Sequence, residues 1–142
     1  MFMPASLLAK PIAAARCILV IDDEPDFCSV VKEILELYGF RVYSAYSVAE
    51  ALALLEKMRP DLILTDVMMP ETDGLTMIRD LREHPAWSDI PAVVLSAKAS
   101  PEDIAAARTA GANDCLPKPF SVHQLRSVIE TYVPSPGSAA AS

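Results

Sequence analysis

The chain has 142 residues, a length that one domain with a single hydrophobic core accommodates. Hydrophobic residues make up 52% and charged residues 22% of the sequence, which excludes an intrinsically disordered protein. Nineteen acidic against twelve basic residues give a formal charge of −7, which argues against direct binding to nucleic-acid phosphates or anionic membranes. No apolar run approaches the ~18 residues that a membrane span requires.

The two ends of the chain differ in composition from its middle. The first segment lacks a basic region at its start, and Lys10-Pro11 interrupts its apolar run, so a signal peptide is not indicated. The last segment is rich in Pro, Ser and Ala. We therefore predict a flexible extension over residues 1–16, one domain over residues 17–133 and a flexible tail over residues 134–142.

The three cysteines, Cys17, Cys28 and Cys115, are odd in number and share no CxxC spacing. Neither a disulfide framework nor a zinc site is therefore indicated. This usage favours a protein of the reducing cytoplasm.

The first half of the domain alternates apolar runs with amphipathic segments. Residues 18–21 form a continuous run of Leu and β-branched residues, which is typical of a strand buried on both faces. Residues 25–39 predict a helix that begins with proline and is closed by glycine. Residues 40–46 predict a second strand, residues 47–58 a helix that opens with a capping box, and residues 62–65 a third strand.

The same alternation continues in the second half. Residues 74–83 predict a helix with apolar residues on one side, and residues 92–95 predict a fourth strand. Residues 100–111 predict a helix with a capping box, proline at its first position and a closing glycine. Residues 114–117 predict a weaker fifth strand, and a third capping box at Ser121 opens the last helix.

Five strand–helix units in alternation predict an α/β fold with a parallel sheet and helices on both faces. In such sheets the binding crevice lies beyond the carboxyl ends of the strands. Polar residues follow four of the five strands: Asp22-Asp23-Glu24, Asp66, Ser96 and Lys118-Pro119.

The acids form the centre of this set. If the first and third strands are neighbours, Asp22, Asp23 and Asp66 converge, and three like charges are costly unless a cation compensates them. Mg²⁺ prefers such hard oxygen ligands together with phosphate oxygens. One Mg²⁺ and the ammonium of Lys118 would bring the pocket near neutrality, and Ser96 adds a hydroxyl donor. These are the groups that phosphoryl transfer to a carboxylate requires.

Four motifs resemble, in order and spacing, those of the receiver domain of bacterial two-component response regulators. They are Ile21-Asp22-Asp23-Glu24-Pro25, Asp66-Val67-Met68-Met69-Pro70 with Gly74, Ser96-Ala97 and Lys118-Pro119-Phe120. The resemblance covers essentially all of residues 17–133 and is to the stand-alone, single-domain type. It implies a flavodoxin-like (βα)5 doubly wound sheet with five parallel strands in the order 2-1-3-4-5.

The resemblance also implies roles for the acids. Asp66 would be the phosphoacceptor, whose carboxylate attacks the phosphorus of a phosphohistidine on a partner kinase. Asp23 would ligate Mg²⁺ directly and Asp22 largely through water. Asp66 and the backbone carbonyl of Met68 would complete the protein ligands.

Two further residues take roles by the same resemblance, and a third departs from it. Lys118 would pair with a phosphoryl oxygen, and its bond to Pro119 would be cis. Ser96 would be the hydroxyl that moves to bind the phosphoryl group. The family usually carries Tyr or Phe three residues before the lysine, where this chain has Cys115. Phosphorylation does not need that ring. The sequence leaves open whether movement of Ser96 still changes the surface of the last two helices. It also leaves open whether another aromatic side chain of this chain or a side chain of a partner fills the space beside Cys115.

Several polar residues have simpler interpretations. Ser96 taken alone could make a local turn bond. Glu24 is expected to be solvated, and neither His84 nor His123 has a partner at metal-binding spacing.

The leading hypothesis is a phosphorylation-controlled signalling switch, not an enzyme beyond self-phosphorylation and slow autodephosphorylation. One alternative is a phosphate-independent scaffold of the same fold. Another is a Mg²⁺-dependent aspartyl-phosphate phosphohydrolase, although such enzymes typically carry Asp-x-Asp and a cap. A flavin or nucleotide binder would need a Gly/Ser/Thr-rich loop after the first strand, where this chain has acids.

The expected partners are a histidine kinase or histidine phosphotransfer protein and a downstream protein of unknown identity. No DNA-binding or catalytic domain follows residue 133, so we expect the output to pass through another cytoplasmic protein, by diffusion or as a phosphorelay. The sequence leaves open a homodimer and an origin as part of a larger kinase.

Overall fold

Strands and helices alternate along the chain of the computed structural model, which describes residues 16–67, 74–97 and 99–133. The strands are β1 Arg16–Ile21, β2 Phe40–Ala45, β3 Leu62–Asp66, β4 Ala92–Ser96 and β5 Asp114–Pro117. The helices are α1 Pro25–Leu37, α2 Val48–Leu55, α3 Gly74–Glu83, α4 Pro101–Ala110 and α5 Val122–Tyr132.

The five strands form one parallel sheet in the order β2-β1-β3-β4-β5. β1 lies at the point where the strand order reverses, with β2 on one side and β3 on the other. This arrangement confirms the predicted doubly wound fold and its strand order. It also places the carboxyl ends of β1 and β3 next to each other, which is where such sheets form their binding crevice.

The side chains of the central strands alternate between two hydrophobic layers. One layer packs Ile18 and Val20 of β1 against α1 and α5, through residues such as Leu35 and Ile129. The other layer packs Leu19 and Ile21 of β1, with neighbouring strand residues, against α2, α3 and α4. Every residue of β3 and β4 is buried, which explains their continuous apolar runs.

Element ends differ from the predictions in small ways. β1 begins at Arg16, one residue inside the segment predicted as an extension, and α2 ends at Leu55, three residues earlier than predicted.

The cap of α2 differs from its prediction. At the start of α2 the hydroxyl of Ser47 accepts a hydrogen bond from the N–H of Glu50 at 3.1 Å, but the Glu50 carboxylate accepts from the N–H of Tyr46 at 2.9 Å. In the predicted capping box, the Glu50 carboxylate would accept from the N–H of Ser47; it accepts instead from the N–H of the preceding residue, Tyr46. The other two boxes form as predicted.

Candidate functional site

The acids that follow β1 and end β3 lie together at the carboxyl edge of the sheet. Ile21 of β1 is opposite Thr65 of β3, so the next residue of each strand emerges at the same level. One carboxylate oxygen from each of Asp22, Asp23 and Asp66 lies within 4.8 Å of the others. Asp22 and Asp66 are buried, whereas Asp23 is exposed to solvent. The convergence inferred from the sequence is thus present in the structure.

Hydrogen bonds engage both carboxylate oxygens of Asp22. Oδ1 accepts a hydrogen bond from the backbone N–H of Glu24 at 3.0 Å, and Oδ2 accepts a hydrogen bond from Nζ of Lys118 at 2.9 Å. The backbone N–H of Asp22 donates to the carbonyl of Ala45 at 3.0 Å and so continues the pairing of β1 with β2. These bonds hold the Asp22 carboxylate in a fixed orientation at the end of β1.

Lys118 supplies the positive charge of this pocket. Its Nζ lies 2.9 Å from Asp22 Oδ2 and 3.6 Å from Asp66 Oδ2. Its backbone N–H donates to the carbonyl of Ser96 at 2.7 Å, and the Lys118-Pro119 bond is cis, as the resemblance implies. Burial lowers the pKa of the ammonium, but the bond to Asp22 and the charge of Asp66 outweigh burial and raise the pKa of Lys118 above its ordinary value. The lysine therefore remains charged at neutral pH.

An aromatic ring that the sequence analysis did not assign to the site also contacts the lysine. Nζ of Lys118 lies 4.1 Å from the centroid of the Phe27 ring, a cation–π distance. The Phe27 ring meets Phe120 edge-on, with centroids 6.0 Å apart. In the sequence, Phe27 is one residue of the predicted helix over residues 25–39. Its place in the first turn of α1, directly after the acids, is the signal that could have located it here.

The pocket keeps an excess of negative charge. Three carboxylates against one ammonium leave a formal charge of −2, in a site where two of the acids are buried. Hard oxygen donors with no nitrogen or sulfur among them suit Mg²⁺. The donor set therefore fits the expected ion, which would offset the remaining charge. Within the described ranges this is the one group of three or more His, Cys, Asp or Glu residues at metal-binding spacing. Met68, the fourth predicted ligand, lies outside the described residues.

Ser96 and Gly74 border the same edge. Ser96 ends β4 and is 2% exposed, and β4 pairs with β3 so that Leu95 is opposite Asp66. Gly74 opens α3, and its N–H donates to the carbonyl of Val67 at 3.0 Å. A Cβ at position 74 would overlap the backbone oxygen of Asp66. The glycine therefore allows α3 to begin directly against the end of β3.

Cys115 lies behind Ser96 and faces a cavity. The cavity has a volume of about 150 Å³ and is bordered by Ser96, Cys115 and side chains of α3 and α4. Burial raises the pKa of the Cys115 thiol, and the nearby carboxylate of Asp114 raises it further. The residue that departs from the family pattern thus leaves open space next to the predicted switch hydroxyl.

Of the remaining polar residues considered in the sequence, Glu24 acts on this pocket through its backbone N–H and its charge, which adds to the raised pKa of Lys118. The side chain of Glu24 is exposed and makes no cap bond to α1. His84 stacks on Trp87 with centroids 3.8 Å apart, and its Nδ1 accepts the N–H of Ala86. His123 is exposed in the first turn of α5. Among the described helices, none is long and apolar enough to cross a membrane.

Comparison with known sequences agrees with this geometry. The family model described as response regulator receiver domain matches residues 18–130. A 14.6 kDa protein in the sodA1 3′ region of Leptolyngbya boryana is 42% identical over 115 residues, which cover 81% of this chain and 88% of that protein. The KDP operon transcriptional regulatory protein KdpE of Escherichia coli is 38% identical over 110 residues, which cover 78% of this chain and 48% of KdpE. The chain spans about half the length of the transcriptional regulators that it matches.

Solved structures show the same architecture. The chemotaxis protein CheY4 of Vibrio cholerae superposes with a TM-score of 0.80 at 29% identity, over 84% of this chain and 100% of that chain. The signal receiver domain of a signal transduction histidine kinase from Syntrophus aciditrophicus superposes with a TM-score of 0.77 at 33% identity, over 83% of this chain and 89% of that chain.

Proposed function

This chain belongs to the response regulator receiver domains of two-component signalling, and we propose that Asp66 accepts a phosphoryl group from a phosphohistidine of a histidine kinase or histidine phosphotransfer protein. The observation that carries the proposal is the meeting of Asp22, Asp23 and Asp66 with Lys118 at one edge of the sheet.

In the proposed step a carboxylate oxygen of Asp66 attacks phosphorus. The P–O bond to Asp66 forms as the P–N bond to the donor imidazole breaks, and the imidazole leaves with the electron pair of that bond. The ammonium of Lys118, already 3.6 Å from Asp66 Oδ2, offsets the charge that the phosphoryl oxygens bring. Its raised pKa keeps it cationic throughout.

The proposed metal ligands are Asp22, through water, and Asp23, Asp66 and the backbone carbonyl of Met68. A bound Mg²⁺ would supply positive charge between the carboxylates and the phosphoryl oxygens. The exposed position of Asp23 supports this assignment, because its carboxylate faces the side from which an ion and a donor would arrive.

Ser96 is the proposed link from the phosphoryl group to a binding surface. Ser96 is buried beside the end of β3, and its backbone carbonyl accepts a hydrogen bond from the backbone N–H of Lys118. A hydroxyl bond from Ser96 to the phosphoryl group would therefore join β4, β3 and the start of the β5–α5 loop. The proposed output is altered binding of a downstream protein.

The test is labelling by acetyl phosphate, followed by intact mass and by mapping of the acyl phosphate. We expect one phosphoryl group per chain, transferred only when Mg²⁺ is present, and located at Asp66. Asp66→Asn should reduce labelling to background, because the side-chain amide of asparagine does not attack phosphorus as a carboxylate does.

Glu33→Gln serves as the matched control, since Glu33 is an exposed carboxylate on the same helix that follows the acids. It should label like the parent chain. Equal labelling of Asp66→Asn would refute the assignment, and rapid multiple turnover of a generic phosphate ester would instead favour a phosphohydrolase.

A further inference from the structure

The cavity beside Ser96 has a mostly aliphatic lining. It lies between the carboxyl half of β4, Cys115 of β5 and the helices α3 and α4, and its volume is about 150 Å³. Four aliphatic side chains form most of its wall: Val67, Leu75, Val94 and Ala106. Ala106 of α4 both borders the cavity and is exposed, so the cavity reaches the surface at α4.

The size of the cavity restricts what it can hold. Sites for cofactors and metabolites commonly have volumes of about 300–1,000 Å³, well above this one. A cavity of about 150 Å³ with a partly aliphatic wall is large enough for a single benzene-sized ring. The fitting occupant is therefore one large apolar side chain, with the rest of its molecule lying on the surface of α4.

Charge further restricts the occupant. Among the described residues that border the cavity, Asp103 is the one that carries a formal charge, and burial raises the pKa of the Cys115 thiol. Asp103 Oδ2 accepts from the N–H of Ser100 at 3.2 Å and from its hydroxyl at 2.7 Å. No lysine or arginine of the described residues forms an ion pair with Asp103. A cation next to the apolar group would therefore complement the cavity entrance.

We propose that this cavity docks a partner protein through an aromatic side chain that is followed by a lysine or arginine. The ring enters between Leu75, Val94 and Cys115, and the cation pairs with Asp103 at the entrance. Ser96 borders the cavity, so the docked segment touches a residue at the edge of the carboxylate pocket. The docking itself does not depend on phosphorylation of Asp66.

The experiment uses the full chain without Mg²⁺ or phosphodonor, so that its outcome is independent of the proposed phosphorylation. The probe is N-acetyl-Phe-Arg-amide, titrated while the methyl signals of Leu75 and Val94 are followed by NMR. We expect saturable shifts of both. N-acetyl-Phe-Glu-amide should bind about tenfold more weakly, because its charge opposes Asp103. N-acetyl-Ala-Arg-amide should leave the two methyl signals unshifted.

Three variants test the two parts of the site. Cys115→Phe fills the cavity with a ring of the chain itself and should abolish the shifts. Ala106→Leu places a larger side chain where the cavity reaches the surface and provides the same test if Cys115→Phe does not fold. Asp103→Asn keeps an oxygen to accept from Ser100 and should remove the preference for Arg over Glu. The proposal is overturned if the Phe-Arg probe produces no saturable shifts, if it shifts signals elsewhere only, or if the Ala-Arg probe binds equally well.

Discussion

Two partly buried cations occupy opposite edges of the sheet and are held in different ways. At the carboxyl edge, Lys118 is surrounded by carboxylates, with Asp22 at 2.9 Å and Asp66 at 3.6 Å. At the amino edge, Arg82 donates to neutral oxygens. Its Nε reaches the carbonyl of Gly111 at 2.9 Å, and its Nη1 reaches the carbonyl of Ile90 at 2.8 Å.

The arginine acts as a clamp. Nη2 also donates to Asn113 Oδ1 at 3.0 Å, and the same oxygen accepts the N–H of Ala92, so Arg82 joins the end of α3 to the starts of β4 and β5. Gly111 has a φ of 118°, and a Cβ there would overlap the Arg82 side chain. At the amino edge the donors of Arg82 meet matching acceptors, whereas the carboxyl edge retains unbalanced negative charge. The first pattern serves stability and the second is suited to receiving a cation.

The largest effect should follow from removing the clamp. Arg82→Ala removes the donor to two partly buried carbonyls, those of Gly111 and Ile90, and we expect it to lower the free energy of unfolding by about 2–4 kcal/mol, as measured by urea denaturation. Labelling of the folded fraction by acetyl phosphate should be unchanged, because Arg82 does not contact the carboxylate pocket.

Arg108→Ala is the matched control for Arg82. Arg108 is exposed and makes a 3.6 Å ion pair with Asp114, so its loss should cost less than about 1 kcal/mol. Equal costs for the two variants would contradict the structural role of the amino edge.

A somewhat smaller effect concerns pH at the carboxyl edge. Cys28 is fully buried below Asp22, and its thiol donates to the Asp22 carbonyl at 3.5 Å. Burial and then the Asp22 charge raise the pKa of Cys28 from 9.0 to about 11. A pKa that is higher in the folded chain contributes stability below pH 9 that is lost as pH rises towards 11. The loss should be at most about 2–3 kcal/mol.

The measurement compares urea unfolding below pH 9 and near pH 11 for the parent chain and Cys28→Ala. The variant should show the smaller decline, because it lacks the buried thiol that ionises in the parent chain. The same decline in both would mean that ionisation of Cys28 is not disfavoured by the fold.

The smallest effect has the opposite sign. Asp23→Asn removes one of three clustered charges, so without Mg²⁺ and at low salt it should stabilise the fold by less than about 1 kcal/mol. Mg²⁺ should raise the melting temperature of the parent chain but have little effect on this variant. Glu33→Gln should keep the response of the parent chain, and an undiminished response of Asp23→Asn would exclude Asp23 as a ligand.

The carboxyl edge was far more predictable from sequence than the amino edge. Each acid directly follows an apolar strand, and parallel strands carry such residues to one edge, so local pattern and topology together located Asp22, Asp23 and Asp66. Nothing in the local sequence of Arg82 indicates its role. Apart from Asn113 Oδ1, its acceptors are backbone carbonyls, which every residue type supplies, and they become neighbours only when α3 packs beside α4 and β5.

Periodicity, capping residues and the acids at strand ends by themselves determined the α/β class, the extent of most elements and the edge that carries the site, because these depend on residues close in sequence. The tertiary structure alone decided which groups Lys118 contacts, since Asp22 lies 96 positions away in the chain. It also decided that Phe27 faces the ammonium and that a cavity opens beside Ser96. Such contacts depend on how helices pack across the sheet, and many sequences with the same local pattern would pack differently.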